Sequence, residues 1–142
     1  MKNTLDRDIQ NILINKKIIT DKEYDCLRLA GGVSSDIWKL TFSNKVICVK
    51  KSKNKLLVQQ DWYVPVIRNY YEYMWYLEVD KIVPEITPKI LYANEKPYFF
   101  VMEYYDPKKY PLWKNELFNL KLDNKFAKNF AIKLANIHNI TF

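Results

Sequence analysis

The chain has 142 residues, 49% of them hydrophobic and 15% aromatic; that is the length of one domain with ample apolar material for a core, and it argues against intrinsic disorder. Twenty-three lysines and arginines against 16 acids leave a formal net charge of +7, so the surface draws anions such as nucleotides, nucleic acid or acidic lipid. The two cysteines, Cys26 and Cys48, form no CxxC pair, which argues against a disulfide framework, implies no metal, and points to reduced thiols in a cytoplasmic protein.

The N-terminal stretch "MKNTLDRDIQNILINKKIIT" scatters acids and amides among its apolar residues, so it is neither a signal peptide nor a membrane span. Thr4 is placed to cap a short helix in which Leu5, Ile9, Ile12 and Leu13 follow helical spacing, ending near Lys16 and Lys17. "YDCLRLA" at 24–30 and "SDIWKLTF" at 35–42 read as two strands, the second alternating Trp38, Leu40 and Phe42 against Lys39 and Thr41. "SNK" at 43–45 turns the chain into a third strand, "VICVKK". In "VPVIRNYYEYMWYLEVD", Val64, Ile67, Tyr71, Trp75 and Val79 recur at helical spacing, with Pro65 near the start, which predicts a helix of about four turns. Pro84 and Pro88 precede a strand "KILYA", and "NEK" at 94–96 separates it from "YFFVMEYY". "DPKKYPLW" reads as a linker, after which Asp123 caps a last helix with Phe126, Phe130, Leu134 and Ile137 on one face.

The only two glycines, Gly31 and Gly32, stand side by side between the first two strands and are followed by Val33, Ser34 and Ser35. With so few glycines in the chain, this pair marks a tip where a side chain is unwelcome, because backbone N–H groups approach an anion closely only where no Cβ intervenes. Lys50 ends the third strand, two residues after Cys48 and therefore on the same face, while Lys51 points the other way. Glu72 lies on the long helix, where it can pair either with Lys50 or locally with Arg68.

This order of strand, glycine tip, strand, strand ending in Lys, helix carrying Glu, and two further strands resembles the N-terminal lobe of the protein-kinase-like fold, and specifically the aminoglycoside phosphotransferase family, from about Asp25 to His138. "VKKSKNKLLVQQDWYVPVIRNYYE" is also similar to a stretch of methylthioribose kinases. The resemblance implies an α+β fold: a five-stranded antiparallel sheet with one long helix, then a hinge and the first helix of a C-terminal lobe. The corresponding division is an N-terminal helical segment 1–24, a nucleotide-binding lobe 25–104, a hinge and linker 105–122, and a final helix 123–142. ATP is the implied cofactor. Its phosphates would lie under Gly31, Gly32, Val33, Ser34 and Ser35, with Lys50 reaching them and Glu72 orienting Lys50. Cys48 and Met102 would line the adenine pocket, and the backbone of Glu103, Tyr104 and Tyr105 would bond to the base. The glycine element here is GG followed by two serines rather than the protein-kinase GxGxxG.

The family's catalytic loop and metal-binding acids have no counterpart after the hinge: His138 is followed by Asn139 and Ile140, and the only aspartates there are Asp106 and Asp123. The resemblance therefore implies no catalytic residue and no metal ligand in this chain. It implies a truncated or split phosphotransferase, with Mg²⁺ only if a separately encoded C-terminal lobe is supplied. The alternative is a non-catalytic nucleotide-binding or regulatory module that acts with a partner chain. A nucleic-acid partner is disfavoured because no binding motif accompanies the charge, and no membrane partner is expected. Exposed Phe126, Phe130 and Leu134 would favour self-association.

Overall fold

The computed structural model describes residues 4–20, 24–30, 32–96 and 98–141. Helix α1 (Arg7–Asn15) is followed by strands β1 (Asp25–Arg28), β2 (Ser35–Thr41) and β3 (Val46–Ser52), then by helix α2 (Arg68–Ile82). Strands β4 (Ile90–Glu95) and β5 (Tyr98–Glu103) come next, and helices α3 (Trp113–Phe118) and α4 (Asn124–Thr141) complete the order. Among the described residues the strands form one five-stranded sheet in the order β1-β2-β3-β5-β4, every neighbouring pair antiparallel. The α+β class and the five-stranded antiparallel sheet are as the sequence indicates.

Strand alternation divides the sheet into two faces. On one face Trp38, Leu40, Ile47, Val49, Phe99 and Val101 pack under α1, whose Ile9 and Leu13 are fully buried. Each such side chain withdrawn from water stabilises the fold by about 1.5–3 kcal/mol. The N-cap of α1 is Asp6 rather than Thr4: its carboxylate accepts the Asp8 N–H at 3.1 Å, a bond that Thr4, two residues upstream, is too early to make.

Helix α2 packs on the other face, over β3, β5 and β4. The rings of Tyr73 and Tyr76 stand 6.1 and 6.0 Å from that of Phe100, and Asn69, Tyr73 and Val79 are its buried residues. The face read from the sequence is mostly the wrong one, since Ile67, Tyr71 and Trp75 are exposed and only Val79 is buried. Aromatic residues surround this helix on all sides, so more than one apolar period fits it, and the sheet decides which is buried.

Two connections differ from their sequence patterns. Asn94 and Glu95 belong to β4, because in antiparallel pairing with Phe99 and Tyr98 they extend the ladder. The stretch 105–122 is not all linker, for it contains α3, which follows Pro111 and has Glu116 in its first turn. Asp123 does cap α4, its Oδ1 accepting the Phe126 N–H at 2.8 Å. Helix α4 packs along α2 through Ile137, with Leu134 half-buried. The Trp113 ring meets Phe126 and Phe130 at 5.1 and 5.4 Å, yet both phenylalanines remain exposed. Among the described residues no helix is long and apolar enough to cross a membrane.

Candidate functional site

The site is built on the face of the sheet shared with α2. Residues two apart on β3 fall on one side, so Cys48 and Lys50 look toward α2 while Lys51 looks toward α1, where its ammonium bonds the Asp6 carboxylate at 2.6 Å. The bond to Lys51 is the main cause that lowers the Asp6 carboxyl below its ordinary value. Lys50 forms an ion pair with Glu72 of α2, both side chains being mostly buried. Arg68 takes no part in that pair, because its guanidinium is spent on the backbone: it donates to the carbonyls of Pro65 at 3.0 Å, Lys53 at 2.6 Å, and Ser34.

Two residues not singled out in the sequence hold Glu72 and Lys50. The Tyr76 hydroxyl, one turn along α2, donates to the same Glu72 oxygen that Lys50 engages, at 3.3 Å. Burial, with the neighbouring carboxylate adding to it, pushes this phenol up to about 12. Asn69, fully buried, reaches the Lys50 carbonyl through Nδ2 at 3.5 Å. The i,i+4 spacing of Glu72 and Tyr76 was visible in the sequence as a signal. Nothing local marked Asn69, since its partner is on another element.

Around the tip, Gly31 lies outside the described residues. A Cβ on Gly32 would collide with the carbonyl oxygen of Ser35, so glycine is required here for close backbone approach. Val33 and Ser34 are exposed, and Ser35 is buried as the first residue of β2. The tip is fastened to the chain after β3: the Leu57 N–H donates to the Val33 carbonyl and the Lys53 N–H to that of Ser34, each at 3.0 Å.

At the other end of the cleft face, Cys48 pairs in register with Lys39 of β2 and with Met102 of β5. The Cys48 thiol is buried, which pushes it up to about 11 and leaves it protonated and unreactive at neutral pH. The Glu103 N–H donates to the Lys89 carbonyl at 3.0 Å, so that donor is committed to the protein. Tyr104 and Tyr105 then diverge. The ammonium of Lys39 stands 4.6 Å from the centre of the Tyr104 ring, while Tyr105 stacks on Tyr110 at 4.7 Å. Lys39 had the pattern of a solvent-facing strand residue, but the chain leaving β5 brings the Tyr104 ring against its ammonium.

The face thus carries one ammonium held by a carboxylate, a glycine tip anchored beside it, and an apolar stretch at Cys48 and Met102 leading to the tyrosines after β5. Such a surface can hold an elongated anion with a flat, apolar end. His138 sits in the last turn of α4. Among the described residues no group of three or more carboxylate, histidine or cysteine side chains is placed to hold a metal ion. No family model and no curated protein sequence matches the chain.

Proposed function

We propose that this chain is the nucleotide-holding lobe of an ATP-dependent small-molecule phosphotransferase of the aminoglycoside phosphotransferase type. The observation that carries the reading is the Lys50–Glu72 ion pair between β3 and α2. A lysine ammonium has three donors; one engaged by Glu72 fixes its direction and the others remain for phosphate oxygens. The donor set fits a nucleotide: Lys50 would meet the phosphates, the Gly32 backbone would approach them from above, and Cys48 and Met102 would offer the base an apolar wall. On this reading the acceptor-orienting base and the Mg²⁺-holding groups lie outside these 142 residues.

A second reading, a nucleotide-binding module without catalysis of its own, is favoured by the state of the two aspartates after β5. Asp106 accepts the Lys108 N–H at 2.9 Å and Asp123 accepts the Phe126 N–H at 2.8 Å, so each serves a local turn or cap. Calorimetric titration of ATP into the parent, Lys50→Ala and Gly32→Val tests the common part of both readings. The parent is expected to bind and each variant to lose at least tenfold in affinity, about 1.4 kcal/mol; equal binding by all three disproves the assignment. Transfer of radiolabelled γ-phosphate to a panel of aminoglycosides, choline and methylthioribose, with and without an added C-terminal lobe, separates the readings.

A further inference from the structure

We infer that Arg68 is a positioning residue of the nucleotide site, a clasp that locks the glycine tip to the helix orienting Lys50. The inference rests on the reading of this face as a nucleotide site. Arg68 opens α2, and its half-buried guanidinium gathers the carbonyls of three separate segments: Pro65 before the helix at 3.0 Å, Lys53 after β3 at 2.6 Å, and Ser34 of the tip. The Ser34 oxygen also accepts the Lys53 N–H at 3.0 Å, so both of its lone pairs are engaged. Helix formation alone does not select an arginine here, since a cation in the first turn faces the positive end of the helix dipole, and that turn holds no acid to balance it.

The same turn of α2 holds Lys50. Asn69 reaches the Lys50 carbonyl through Nδ2 at 3.5 Å, and Glu72 pairs with the Lys50 ammonium. Arg68, Asn69 and Glu72 lie within about 6 Å along the helix axis, so one rigid support carries both the tip and the ammonium. The segment that Arg68 grips is tethered to the sheet as well: Lys53 pairs with Asp36 of β2 at 3.0 Å, and Asp36 also pairs with Arg28. A carbonyl oxygen repels a phosphate, and Arg68 keeps that of Ser34 turned to itself. The Ser35 N–H of the same trans peptide then points the opposite way. Without the clasp the tip would have to be ordered as the ligand binds, at a cost in affinity. That cost falls on a ligand with phosphates, which lie under the tip, and not on a nucleoside, which lacks them. Charge alone does not replace the clasp, because a lysine lacks the planar fork that spans several acceptors.

The test titrates ATP and adenosine calorimetrically into the full chain, Arg68→Lys and Arg68→Ala, and follows amide exchange at Lys53 without ligand. Circular dichroism and denaturant unfolding verify that the variants fold, and the lysine variant, which keeps the charge, serves alone if the alanine variant does not. Both variants are expected to lose at least tenfold in affinity for ATP and less than twofold for adenosine, with Lys53 exchanging at least tenfold faster. An equal loss for ATP and adenosine would show that Arg68 only supports the fold, and ATP affinity at the parent's level in the lysine variant would show that only its charge matters. Either result overturns the inference, as does unchanged exchange at Lys53. A parent that binds no ATP sinks the nucleotide reading and this role together, whereas a parent that binds it no better than either variant sinks the role alone.

Discussion

Lys50 of β3 and Glu72 of α2, 22 positions apart in the chain, form an ion pair that ties the central strand to the helix crossing it. Both side chains are mostly buried, so the pair lies between an exposed one, worth under about 1 kcal/mol, and a fully buried one, whose disruption costs about 3–5 kcal/mol. Lys50→Met and Glu72→Gln should each destabilise the protein by about 1–3 kcal/mol, and the double variant by less than their sum. Urea unfolding of the four proteins measures this coupling, and strict additivity would show that the pair contributes nothing.

Gly32→Ala places a methyl group against the Ser35 carbonyl oxygen, which is backbone at the start of β2 and cannot swing aside. The tip is also pinned by its bonds to Lys53 and Leu57, so relief requires breaking one of them. The expected result is a loss of about 1–2 kcal/mol with faster amide exchange at Lys53 and Leu57. Unchanged exchange at both positions would mean that the tip accommodates a side chain.

Alkaline pH should weaken the fold in two stages. The Cys48 thiol is raised from 9.0 to about 11 and the Tyr76 phenol from 10.0 to about 12, both chiefly by burial. Because the folded protein holds these protons more tightly than the unfolded chain, the stability they contribute is complete below pH 9. It falls as pH rises from about 9 to about 11 for the thiol, and from about 10 to about 12 for the phenol. Cys48→Ala should flatten the first part of the denaturation profile and Tyr76→Phe the second. A parent profile level up to pH 11 would contradict the burial of the thiol.

At the acid end the relevant contact is Asp6–Lys51, which joins the cap of α1 to β3. Lys51 is the main cause lowering the Asp6 carboxyl from 3.8. The stability gained is present above that value and is lost as pH falls through the lower folded-state value. Asp6→Asn should therefore be less stable than the parent at pH 6 and approach it near pH 2. Thermal unfolding at the two pH values, followed by circular dichroism, gives the comparison; a constant difference would mean the carboxylate acts only through its hydrogen-bonding shape.

How much of this was legible in the sequence depended on the range of the interaction concerned. The strands announced themselves because "SDIWKLTF" and "VICVKK" carry period-2 and β-branched patterns, and Asp123 announced a helix start because capping is settled within four residues. The opposite facing of Lys50 and Lys51 follows from strand geometry alone. Other features were decided by packing between distant segments. Tyr73 rather than Tyr71 is buried on α2 because Phe100 of β5 lies beneath that side of the helix, and the helix's own sequence is aromatic on several sides. Glu72 could equally have paired with Arg68 by spacing; the tertiary fold chose Lys50 by drawing Arg68 to the carbonyls of Ser34 and Lys53. Lys39 likewise reads as a surface residue in its own strand, and only the tertiary fold brings its ammonium over the ring of Tyr104, which follows β5. Local periodicity and capping thus determined which elements form, whereas the choice among equally spaced partners required the elements to meet, because a contact energy exists only once both surfaces are in place.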